Sequence, residues 1–283
     1  MIITESFNGS SWVTKTILLF GLVFSNSLCA SGVGADIATT VSALNAASIS
    51  KNLANPIANM VAVPIQYNYN RGIGLNSAGK VQSVTLQPVI PIGLSGGKNL
   101  ILRPIITAET QNNVNGFSGS GVGNVQLETF YVPNLNSSLI WGVGPYLISP
   151  AGGSGQFGST QTGAGISAVG LKQMGPWTAG LLAVQSWAIS GSKTYGTVNS
   201  FYYQPFVSYR TSDNWTYAVD TESTFNYDAR RTSNQFVASV SKLIMAGDQP
   251  ISLSVGPKYN VSAVPGGPQG WGARATVTLI FTK

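Results

Sequence analysis

The chain has 283 residues, a net charge of +6 and one cysteine, Cys29, so an intrachain disulfide is excluded. Charged residues make up only 8% of it, against roughly 25% in soluble domains, too few to solvate a soluble surface of this size. Aromatics at 10% argue against wholesale disorder, and basic residues scattered singly, with only Arg230-Arg231 adjacent, argue against a nucleic-acid partner.

Lys15 is followed by the apolar run Ile17–Phe24 and then by small residues at Ser27, Ala30, Ser31, Gly34 and Ala35. This reads as a secretory signal peptide over residues 1–30, with cleavage after Ala30 or as late as Ala35. The stretch before Lys15 is long and contains Glu5, so translation starting further along is an alternative. A lipoprotein reading of Cys29 is opposed by Leu28, where a small residue is expected. Past the leader there is no run of about 18 apolar residues, so no transmembrane helix is predicted. An exported soluble β protein and an outer-membrane β-barrel remain.

In residues 36–59, Ile37, Val41, Leu44, Ile49 and Leu53 fall loosely at helical spacing. The segment reads as a short helix, in the periplasm or in the barrel mouth, or as a linker. Pro56 ends any helix there. Residues 60–283 read as strand and turn, with strands expected to begin near Val61, Lys80, Asn99, Asn124, Leu139, Thr162, Trp177, Val198, Trp215, Ser233, Gln249 and Gly270. Several alternate cleanly. In the second, Val84, Leu86, Pro88, Ile90 and Ile92 oppose Thr85 and Gln87; in the third, Leu100, Leu102, Pro104 and Ile106 oppose Arg103 and Thr107. Glu128, Asp220, Glu222 and Lys258 likewise fall on polar rows of later strands, while the sixth, seventh and tenth strands are ambiguous in phase. The last strand places Ala273, Ala275, Val277, Leu279 and Phe281 on one face and Gly272, Arg274, Thr276 and Thr278 on the other.

Short turns follow the even strands: Ser95–Lys98, Pro133–Ser138, Gln173–Pro176, Ser212–Asn214 and Ala246–Asp248. Longer Gly/Ser/Asn-rich loops follow odd strands, including Gln111–Gly121 and Ala151–Thr160. A bacterial barrel sorts its connections in this way; a sandwich has no reason to. Tyr131, Trp177, Tyr209, Trp215 and Tyr259 fall near strand ends, as an interfacial girdle requires. Pro88, Pro104, Pro145, Pro205 and Pro257 fall inside strands, where local bulges are expected.

The chain contains no histidine. A Ser–His–Asp triad and the usual zinc ligands are therefore absent, and neither enzyme activity nor a cofactor is expected. Gly152-Gly153-Ser154-Gly155 lacks the context of a phosphate loop and reads as a flexible connection. Asp220 and Glu222, two apart on one strand face, read as part of a polar lumen wall rather than as an acid pair. Arg103 and Glu128 are expected on neighbouring strands at one height, as are Lys258 and Arg274. With Lys172, these seven are the candidate lumen and constriction residues. Separated patches of opposite sign would impose a transverse field on a pore; the alternative is that the charges knit the lumen shut. About twelve strands lies between the eight that side chains fill and the sixteen that leave an open channel, so a narrow, partly plugged pore is expected.

Several stretches resemble one family of proteobacterial outer-membrane barrels, the group labelled MetA-pathway of phenol degradation. They are Leu53–Asn59 with Pro64, Gln87–Pro91, Trp141–Pro145, Leu171-Lys172-Gln173 with Gly175-Pro176-Trp177, Gln204-Pro205-Phe206, Glu222-Ser223-Thr224, Trp271-Gly272 and Thr278–Lys283. The resemblance covers Leu53 to Lys283 in order. It implies an outer-membrane barrel of a Gram-negative bacterium that passes small molecules, aromatic or otherwise hydrophobic, and it supplies no catalytic or binding residues. The expectation is therefore an all-β, transmembrane, antiparallel up-and-down barrel. Its expected partners are outer-membrane lipid, the barrel-assembly machinery through the strand ending at Phe281, and a small-molecule solute. A structural or adhesive barrel without transport and a secreted β-sandwich lectin are the alternatives.

Overall fold

The computed structural model describes residues 46–151 and 155–281. The expected signal peptide over residues 1–30, the start of the pre-barrel segment and Gly152-Gly153-Ser154 lie outside the described residues. Residues 46–53 are helical (α1). The strands are β1 (Val61–Ile73), β2 (Gly79–Leu86), β3 (Ile90–Gly93), β4 (Asn99–Val114), β5 (Phe117–Val122), β6 (Val125–Val132), β7 (Ile140–Ser149), β8 (Thr162–Met174), β9 (Trp177–Ser190), β10 (Ser200–Arg210), β11 (Trp215–Asn226), β12 (Arg231–Ala246), β13 (Gln249–Ser262) and β14 (Gly270–Phe281).

These fourteen segments build twelve wall strands, because β2 with β3 and β5 with β6 are each one strand interrupted once. Every neighbouring pair is antiparallel. The wall closes where β1 pairs with β14, from Val61↔Phe281 to Tyr69↔Ala273. On β14, Trp271, Ala273, Val277 and Phe281 are exposed, while Arg274, Thr276, Thr278 and Ile280 turn inward. β13 repeats this: Leu253, Val255, Tyr259 and Val261 are exposed, opposite Ser252, Ser254, Lys258 and Asn260. The apolar rows thus face out and the polar rows face in, the inversion a lipid-facing barrel requires.

The short turns gather at one rim and the longer connections at the other, which sets the periplasmic and outer ends. The Gln111–Gly121 stretch corrects the loop expectation. It is not a loop but an extension of β4 and β5 into a hairpin, turning at Asn115 (φ 52°) and Gly116 (φ 83°). The Asn-Gly pair supplies the positive φ values of a tight hairpin turn, and alternating Ser and Gly on β5 carry no lipid-facing row to reveal the strand.

The prolines also behave differently from expectation. Pro88 sits in the break between β2 and β3, bridged by Ala62↔Val89. The other four keep register with no bulge: Pro104 opposes Leu127, Pro145 opposes Ile166, Pro205 opposes Leu181 and Pro257 opposes Ala273. At Pro145 the ladder opens only towards β6, because the ring has no N–H to give. The Thr129 carbonyl left over there accepts instead from the Ser167 hydroxyl at 2.8 Å, and Ser167 is fully buried. The preceding glycines, Gly144 and Gly256, have the carbonyls of Thr129 and Ala238 lying where a Cβ would stand. A Gly-Pro pair therefore lets the wall draw in across the gap that proline opens, with no extra residue needed.

α1 and the residues after it occupy the periplasmic mouth. Ile49, Ala58 and Met60 pack against Ala62, Leu243 and Ile280 on the inner wall. Gln173 Nε2 donates to the Lys51 carbonyl at 2.9 Å, and Ser50 Oγ to Asn214 Oδ1 at 3.4 Å. Asn55 Oδ1 accepts from the Ile57 N–H at 3.0 Å, a side-chain turn that ends the helix and sends Ile57 into the lumen.

Candidate functional site

The inward rows place a belt of charge across the middle of the barrel. Arg103 and Glu128 oppose one another on β4 and β6, and Arg103 Nη1 lies 2.8 Å from Glu128 Oε2. Arg274 on β14 reaches across the lumen to Glu222 on β11, with Nη1 at 2.6 Å from Oε1 and Nη2 at 3.1 Å from Oε2. This two-pronged contact spans two intervening strands. Gly256 opposes Arg274 on β13. Gln235 donates to the same carboxylate. Asn68 on β1 accepts from Arg274 Nε at 2.8 Å and from Lys258 Nζ at 3.2 Å, which holds both cations at one height.

Asp220 accepts from Gln204 Nε2 at 3.1 Å. Among the described residues, neither Asp220 nor Lys258 has an oppositely charged partner within 4.0 Å. Six of the seven predicted lumen residues thus turn inward and, apart from Asp220, they build the belt. Lys172 does not: it lies on the exposed row of β8, opposite Ala179, while Val169, Leu171 and Gln173 face in. The β8 phase was unreadable because its inward row is mostly apolar there. Lys172 stands near the periplasmic end, where a lysine stem can lie along apolar wall and carry its charge to the interface.

Arg103–Glu128 and Arg274–Glu222 are neutralised as pairs, while Lys258 and Asp220 are bonded only to the amides of Asn68 and Gln204. A cavity of about 650 Å³ lies against the belt, lined by Arg103, Glu128, Tyr146, Tyr202, Glu222 and Arg274 among others. On its outer side, Asn124 clasps Ser159 through two hydrogen bonds of 2.7 and 2.8 Å, so the β7–β8 connection leans over the chamber. On its periplasmic side the lumen is apolar: Ile101, Phe130, Val132, Leu171 and Leu182 pack around Ile57, which is fully buried. Two smaller cavities of about 190 Å³ flank that plug, one lined by Asp220 with Ser208, Ser241 and Thr278, the other by Arg103, Gln87 and Asn55.

Sequence reasoning missed Asn68, Gln204, Gln235 and Tyr202. The first was visible as the middle of the inward series Gln66, Asn68, Asn70 between the outward Ile65, Tyr67 and Tyr69. The other three carry no charge and gave no reason to be singled out.

No protein-family model and no curated protein matches the chain. Among solved structures, the COG4313 outer membrane channel from Pseudomonas putida F1 is similar at 18% identity and TM-score 0.61, over 78% of this chain and 95% of that one. The translocator domain of the autotransporter NalP from Neisseria meningitidis is similar at 13% identity and TM-score 0.49, over 87% of this chain and 98% of that one. The NanC porin is similar at 13% identity and TM-score 0.48, over 79% of this chain and all of that one. The chain folds as an outer-membrane β-barrel. Its lipid-facing apolar rows, closed wall and aromatic ends place it in the outer membrane of a Gram-negative cell, in contact with lipid.

Proposed function

We propose that this barrel is a channel for the passive or facilitated passage of small molecules. The observation that carries the reading is the polar chamber enclosed by a lipid-facing wall and stopped on its periplasmic side by residues 46–60, which are not part of that wall. A stopper built from a separate segment can leave without opening the barrel. Solutes with a ring and one polar group suit the lumen, since its apolar cluster adjoins the charged belt; this agrees with the aromatic or hydrophobic cargo that the family resemblance implies. No catalytic role is proposed for a chain without histidine. Residues 1–30 serve in this reading as the export signal, and the exposed Phe281 at the end of β14 as the handle for the barrel-assembly machinery.

Purified protein in planar bilayers tests the reading: discrete conductance steps support it. A second reading, a structural or adhesive barrel, is favoured by the dense packing around Ile57 and predicts a silent bilayer both for the whole protein and after removal of residues 46–59.

A further inference from the structure

The outward faces of β1 and β2 form four successive rungs: Ile65↔Leu86, Tyr67↔Val84, Tyr69↔Gln82 and Arg71↔Lys80. The series runs from apolar through aromatic and amide to two cations. Tyr259 and Trp271, in ring contact at 4.9 Å on the adjoining β13 and β14, mark the interface at that height. Arg71 and Lys80 therefore stand just beyond the hydrocarbon, at the level of the outer-leaflet headgroups, and both are exposed.

Like charges directly opposed on one face of an antiparallel pair repel. Nothing on this side of the wall relieves them. β1, β2, β3, β5, β13 and β14 contain no aspartate or glutamate, and neither do the connections 74–78, 115–116 and 263–269. The one carboxylate of β4, Glu109, lies on the inward row and is bonded to Gln111 at 2.7 Å. Two exposed amides flank the cations. Asn112 opposes Lys80 from β4, and Gln82 sits one rung below, its carbonyl accepting from Tyr67 Oη at 2.9 Å, which leaves its NH₂ as a donor.

We propose that Arg71 and Lys80, with Gln82 and Asn112, bind the phosphate of an outer-leaflet glycolipid headgroup. A phosphate monoester supplies the missing negative charge. Its three oxygens accept from a guanidinium, an ammonium and an amide at once, and such charge-assisted bonds are the strong ones. The membrane supplies the ligand at this height, next to the aromatic pair that the acyl chains contact.

Native mass spectrometry of the detergent-solubilised full chain, titrated with diphosphoryl lipid A and with its dephosphorylated form, tests this. The expected result is at least about tenfold tighter binding of the phosphorylated lipid, lost in Arg71→Gln/Lys80→Gln and kept in Arg230→Gln/Arg231→Gln, a control that removes the same charge from the β11–β12 connection and the first residue of β12. Equal binding of the two lipids by the unaltered protein overturns the proposal and does not depend on any variant folding. Equal loss in both double variants overturns it as well, since it would show a general charge effect. So does displacement of the lipid by inorganic phosphate at matched concentration, which would mean that the height and the aromatic pair contribute nothing.

Discussion

Arg274 and Glu222 face each other across the lumen and close on one another through two hydrogen bonds of 2.6 and 3.1 Å. Both side chains are largely sequestered, at 13% and 20% exposure. Removing one partner strands the other charge. Glu222→Gln is expected to lower unfolding free energy by about 3 kcal/mol, with Arg274→Gln/Glu222→Gln recovering most of the loss. Urea unfolding in lipid vesicles, run as a double-mutant cycle, reads this; additive single effects would contradict it. In bilayers, Glu222→Gln should also shift ion preference towards anions, because Arg274 is left without its counter-charge.

Ser167 supplies the hydrogen that Pro145 cannot. Ser167→Ala should leave the Thr129 carbonyl buried without a donor, at a cost of about 1–3 kcal/mol. Ser167→Thr keeps the hydroxyl but adds a methyl to a fully buried site, so it should cost less than the alanine only if the wall yields. Vesicle unfolding midpoints for the two variants give the comparison.

The stopper should be separable from the wall. Deleting residues 46–59 is expected to raise single-channel conductance while leaving the folded barrel's gel mobility unchanged. Ile57→Ala should raise it less, since α1 stays anchored through Lys51 and Ser50. Unchanged conductance in the deletion would place the barrier elsewhere in the lumen.

The outer connections carry a clasp, Lys193 Nζ to Asp228 Oδ1 at 3.1 Å. A hydrogen bond from Thr197, and then that from Lys193, hold the Asp228 carboxyl below its usual range. A lowered carboxyl stabilises the folded form above its ordinary value, and that support fades as pH falls through the lowered one. Hydrogen exchange over residues 191–199, corrected for intrinsic rate, should therefore be the same at pH 7 and pH 5. It should quicken only in acid below the normal carboxylate range.

The wall was largely legible in the chain. Rows such as Val84-Leu86-Ile90-Ile92 alternate against Thr85 and Gln87, and the parity of the connections separates the two rims. What could not be read has physical causes. Lys172 fell in the wrong phase because Val169 and Leu171 face inward to cover Ile57, so both faces of β8 are apolar. The β4–β5 hairpin beyond the membrane has no lipid to select a greasy row. Arg103–Glu128 was predictable because the two oppose one another on adjacent strands. Arg274–Glu222 was not, since it crosses a chord of the barrel over two intervening strands.

Closure of the wall at Val61↔Phe281 joins residues more than two hundred positions apart. Contacts of that sequence separation form late, after the loop-closure entropy has been met. Until then β1 and β14 are both raw edges, each offering unpaired amides to any passing strand. The slow step in making this protein is therefore expected to be the seam itself, and its variants should slow assembly more than they loosen the finished barrel.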